Sequence, residues 1–121
     1  MLNSVVLVGR AGKDAEIKYL EPSGKAKAHF NLAVDRPGKD KPPLWIRIEL
    51  WDKTAQVAAD FVKKGSLVAI TGRLDIQQWE DRESGQKREM ALIVAQNLRL
   101  LEKRSEGEGK RNADPDEEDV P

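Results

Sequence analysis

Through most of residues 4–101 apolar side chains recur at every second position, and one stretch alone lengthens that period. A period of two belongs to strands with one buried face, whereas a period near 3.6 belongs to a helix. The run "SVVLVGR" (4–10) is rich in β-formers, and "AEIKYL" (15–20) continues it past an irregular "AGKD". Pro22 and Gly24 supply turn chemistry in "EPSG". "AKAHFNLAV" (26–34) then sets Ala26, Ala28, Phe30, Leu32 and Val34 on one face and Lys27, His29 and Asn31 on the other, as the second arm of a hairpin. After a loop with three prolines, "LWIRIELW" (44–51) alternates again. The period changes in "DKTAQVAADFVKKG" (52–65), where Ala55, Val57, Ala58, Phe61 and Val62 gather on one helical face. Asp52 or Thr54 is expected to cap its start and Gly65 to end it. Alternation returns in "SLVAITGRLDIQQW" (66–79), through Val68, Ile70, Gly72, Leu74 and Ile76. It closes in "KREMALIVAQNLRLL" (87–101), through Met90, Leu92, Val94, Leu98 and Leu100.

The order predicts an all-β fold: a five-stranded Greek-key OB-fold barrel with one α-helix between strands 3 and 4, closing one end. A small α+β sheet would show the same string of elements. Closure is favoured because the strands are long and no second helix is available to cover an open sheet. Residues 1–101 form the expected domain. Past Glu102 the apolar pattern stops, and residues 102–121 are expected to be a disordered acidic tail.

Charge divides along the same boundary. Residues 1–101 hold 17 Lys and Arg against 13 Asp and Glu, whereas residues 102–121 hold 4 against 8. A basic body with an acidic appendage suits a polyanion ligand. Without cysteine there is no disulfide, thiolate metal site or cysteine nucleophile. His29 is the single histidine, so neither a metal pair nor a supported triad can be assembled, and as a strand residue it reads as solvated. "GRAGKD" (9–14) lacks the spacing and the Ser or Thr of a phosphate loop. No enzyme activity, cofactor or metal is expected. The start of the chain lacks signal-peptide features, and no apolar run approaches the ~18 residues of a membrane span, so a cytoplasmic, nucleoid-associated location is expected.

Three tryptophans call for an explanation. Trp45, Trp51 and Trp79 each lie opposite the aliphatic parity of their strand, among charged residues. Large aromatics more often pack a core or an interface. Trp45 and Trp51, however, are roughly 20 Å apart along one strand, too far to stack on each other. Separate flat platforms interleaved with Arg47, Lys53 and Arg73 are what a single strand of nucleic acid requires, bases on the rings and phosphates on the cations. Glu49, on the same face, counts against this.

"NSVVLVGRAGKDAEIKY", "FNLAVDR", "WDKTAQVAADFVKKGS", "ITGRL" and "DPDEEDVP" together resemble the bacterial single-stranded DNA-binding protein family, over about residues 3–101 plus the last eight. The resemblance implies an OB fold, a homotetramer, and wrapping of single-stranded DNA without sequence preference in replication, repair and recombination. It implies stacking by Trp45, Trp51 and Trp79, basic contacts from Arg47, Lys53, Lys63 and Lys64, and recruitment of replication and repair enzymes by the acidic tip. That tip comprises Asp114, Asp116, Glu117, Glu118, Asp119, Val120 and Pro121. Three departures stand out. A loop tryptophan frequent in the family is replaced near Gly38, the linker 102–113 is short, and the family's terminal Pro-Phe is here Pro121. A primosomal-type OB protein is the rival within the fold, though it would lack the acidic tip. An OB scaffold using the Trp face for protein contacts is the rival outside DNA binding.

Overall fold

The computed structural model describes residues 1–101; the acidic tail expected at 102–121, with the partner contacts expected at its tip, lies outside the described residues. The elements are β1 (Val5–Ala11), β2 (Glu16–Tyr19), β3 (Ala26–Val34), β4 (Leu44–Trp51), α1 (Asp52–Phe61), β5 (Leu67–Glu80) and β6 (Lys87–Leu100). All the strands belong to one sheet in the order β1-β5-β6-β4-β3-β2, and an added β1–β3 pairing closes it into a barrel. The helix stands between β4 and β5, as the OB-type order requires.

Six strands stand where five were expected because the first is bent. Both β1 and β2 run antiparallel to β3, with Ala11 opposite Leu32 and Glu16 opposite His29. Residues 12–15 therefore face only Phe30 and Asn31, a bulge that turns one long strand around the barrel. Gly9 marks the tightest crossing, since a Cβ there would lie 2.2 Å from the Ala33 carbonyl oxygen.

The core is aliphatic apart from Phe30: Leu32, Ile48, Leu50, Val68 and Ile70 are fully buried, and α1 seals one end with Ala55, Ala58 and the following Val62. Val57 and Phe61, expected on the same helical face, are exposed. A ten-residue helix resting on a barrel end buries one narrow stripe, and spacings of three and four confine it to positions 55, 58 and 62. Neither expected cap forms. Trp51 occupies the N-cap in extended conformation without a side-chain cap, and the Thr54 hydroxyl donates to the Trp51 carbonyl at 2.7 Å. At the other end the chain is already extended at Val62, so Gly65 (φ 86°) shapes the following turn, where its N–H donates to the Ala11 carbonyl at 2.8 Å.

Register overturns part of the expected parity of the last two strands. Gly72 pairs with Ala95 but Thr71 pairs with Asn97, leaving Gln96 as an extra residue. Leu98 and Leu100 consequently share the inner face with Ile70 and Val68, whereas Leu92 and Val94 lie on the opposite face, although the sequence groups all four. β5 and β6 also outrun the barrel. β1 begins at Val5 opposite Gly72, so beyond that point Leu74 and Ile76 keep the core parity yet remain about half exposed. Asn3 substitutes for a neighbouring strand there, its amide donating to the Leu74 carbonyl and accepting from the Leu74 N–H at 2.9 Å each. On the other side of β1, Val6 is 67% and Val8 47% exposed, an apolar face left uncovered among the described residues.

Candidate nucleic-acid interface

Residues paired across neighbouring strands point to the same face of a sheet. The register therefore assembles one surface from four strands. Asn31, Arg47, Leu92 and Asp75 form one row across it, and His29, Glu49, Val94 and Arg73 form the next. Trp45 and Trp51 flank these rows on β4, and Trp79 lies farther out on β5, opposite Arg88. Trp45, Arg47, Trp51, Arg73 and Trp79, all expected from the sequence, thus share one face. Its floor is apolar, because Leu92 and Val94 are buried between the polar side chains of β4 and β5.

The three rings are not equivalent. Trp45 is 56% exposed and lies against Gly12, where a Cβ would meet its Cζ3 at 2.7 Å. Beside it opens a groove of about 310 Å³ lined by Lys13, Asp14, His29 and Asn31 among others. Trp79 is 47% exposed near the end of the β5–β6 arm. Trp51 is only half-buried to partly exposed, and the Lys27 ammonium stands 5.2 Å from its ring centre, a cation–π contact.

Glu49 is less of an obstacle to an anionic ligand than its charge suggests. It is buried, accepts a hydrogen bond from Arg47 Nε at 3.3 Å and pairs with Lys27 Nζ at 3.7 Å. Two cations thus surround one carboxylate, and the cluster keeps a positive balance. His29, across the strand from Glu49, has its pKa lowered from the ordinary 6.5 chiefly by burial, with Arg47 adding to the effect; Glu16 and Glu49 oppose it, and Lys18 lowers it slightly.

The remaining expected cations lie off the sheet. Lys53 is exposed in the first turn of α1, two residues past Trp51. Lys63 and Lys64 follow the helix; the Lys64 N–H donates to Asp14 at 2.9 Å, which ties that turn to the groove beside Trp45. Lys63 directs its ammonium to the Ala59 carbonyl at 3.5 Å, toward the helix end.

Sequence reasoning passed over Lys27, His29 and Asn31 of β3, Lys13 of the bulge and the Leu92–Val94 floor. The alternation of Lys27, His29 and Asn31 is visible in the sequence, but only the β3–β4 register joins it to the Trp face. Among the described residues no helix is long and apolar enough to cross a membrane.

Comparison with known proteins points to one family. A model described as the single-strand binding protein family matches residues 2–101. A protein of Synechocystis sp. named "Single-stranded DNA-binding protein 1" is 49% identical over 119 residues, covering 96% of this chain and 98% of its own. A "Single-stranded DNA-binding protein" of Thermosynechococcus vestitus is 46% identical, covering 94% and 89% respectively. One of that name from Streptococcus mutans is 40% identical over 93% of this chain and 70% of its own.

Proposed function

The chain belongs to the single-strand binding protein family, and from that premise we infer that it binds single-stranded DNA without regard to sequence. The observation that carries the reading is the face itself: exposed Trp45 and Trp79, half-covered Trp51, and Arg47, Arg73 and Lys27 distributed among them over one continuous surface. Every base has a π-face, so stacking on indoles discriminates little between bases, while the cations follow the repeating phosphate. Lys53, Lys63 and Lys64 would extend the cationic path around the helix end. We read the protein as a binding protein that protects single strands in the cytoplasm during replication, repair and recombination.

Two finer points belong to the same proposal. The uncovered Val6 and Val8 face supports assembly through sheet-to-sheet packing, and we propose a homotetramer with the Trp faces outward. The acidic tip, Asp114, Asp116, Glu117, Glu118, Asp119, Val120 and Pro121, would recruit partner enzymes; its presence in the sequence favours this reading over a primosomal-type protein.

The test is a titration with oligo(dT) followed by tryptophan fluorescence at several salt concentrations. Quenching is expected, with log K falling against log[salt] by about 0.7 per phosphate contacted. Absence of quenching and of a salt response would favour a protein-interaction scaffold instead.

A further inference from the structure

Lys27 and Glu49 lie within the binding face, yet neither has a role in the reading above beyond adding and removing a charge. Their geometry is specific. Lys27 is the cross-strand partner of Trp51, and its ammonium is held from two sides, 5.2 Å from the ring centre and 3.7 Å from Glu49 Oε2. Glu49 is anchored in turn, its side chain only 8% exposed and bonded to Arg47 Nε at 3.3 Å. Lys27 itself retains 22% of its side-chain exposure, so it is mostly covered yet keeps a path to solvent along which it can be displaced. The consequence falls on Trp51. Trp45 and Trp79 are about half exposed, whereas Trp51 carries a cation on its ring.

We propose that Glu49 is a positioning residue that holds Lys27 across Trp51, so that this platform is closed in the free protein and opens when a base displaces the lysine. The inference rests on the single-strand-binding reading. A base stacking on Trp51 must break a cation–π contact and loosen a partly buried ion pair, and those losses offset much of the stacking gain. Among the described residues no cation stands on the ring of Trp45 or Trp79, and these two are taken first. Glu49 and Lys27 thereby set the order in which the three platforms are used.

The experiment measures oligo(dT) affinity of Glu49→Gln and Lys27→Met, each made in the parent protein and in a Trp51→Ala background. Lys27→Met removes the cation–π contact and the ion pair, and Glu49→Gln weakens the anchor of the lysine. A base then displaces the covering side chain at less cost, and each change is expected to tighten binding by about threefold to tenfold in the parent. In the Trp51→Ala background the gain should vanish. The lysine change gives the sharper sign, because a lysine acting only as a phosphate contact would weaken binding when replaced. Weaker binding by Lys27→Met, or a gain from Glu49→Gln that survives in Trp51→Ala, overturns the proposal and leaves simple charge addition as the explanation. Lys27→Met also leaves Glu49 on Arg47, so it remains informative should Glu49→Gln alter folding. Parent protein that fails to bind oligo(dT) overturns the functional reading itself, a result distinct from binding without coupling.

Discussion

A tryptophan that packs a core and one that waits for a ligand differ in what its removal does. Trp45 and Trp79 are about half exposed, so replacing either by alanine should weaken oligo(dT) binding by roughly 1–3 kcal/mol. The thermal midpoint should change little. If either variant fails to fold while binding per folded molecule is retained, the ring is structural. His29 gives a second prediction, in pH. Its folded pKa is depressed, so below 6.5 the unfolded chain takes up the proton more readily than the folded one. Its contribution to stability is complete above that value and is lost as pH falls toward the folded pKa. Thermal midpoints compared at about pH 7.5 and about pH 5.5 should drop more in the parent than in His29→Gln. Equal drops would assign the sensitivity to other groups.

Strands β5 and β6 show what an element needs beyond its alternation. The irregularity between Thr71 and Gly72 brings the β6 backbone against Gly72, where a Cβ would lie 2.2 Å from the Val94 carbonyl oxygen. Gly72→Ala should therefore destabilise the protein by about 1–3 kcal/mol, because backbone must move to admit one methyl group. Chemical denaturation of the two proteins checks this, and an unchanged midpoint would mean that the strand bends without difficulty. The same irregularity marks the limit of legibility. Alternation was enough to recognise the helix and the stretches of strand, because a period of two is local information. It read β1 and β2 as one strand, however, and the barrel followed only from the need to cover sheet edges. Alternation was also not enough to place Leu92 and Val94, since one extra residue at Gln96 reverses which face they occupy. Nor could it cap the helix correctly or expose Val57 and Phe61, which depend on how α1 meets the barrel. The Trp face was readable for a physical reason: Trp45, Trp51 and Trp79 contradict the pattern of their own strands. Lys27 and Glu49 obey that pattern, and their partnership requires the register.

At the scale of the whole molecule the barrel closes on itself but leaves Val6 and Val8 facing outward. Light scattering at two protein concentrations should give a mass of four chains, and Val6→Lys with Val8→Glu should lower it while the fold persists. A monomeric parent would refute assembly and leave DNA binding standing. The strand order carries a different implication, for biosynthesis. β1 neighbours β5, and β4 neighbours β6, so the first strand to leave the ribosome waits for one of the last. The β2–β3–β4 meander can pair as soon as it emerges, but it then presents open edges on a partly made chain. Closure, edge protection and the platform of Trp79 arrive together with the final hairpin. A ribosome that stalls before Lys87 would release a chain with unpaired strands and exposed apolar surface, the form of nascent protein that chaperones hold and proteases clear.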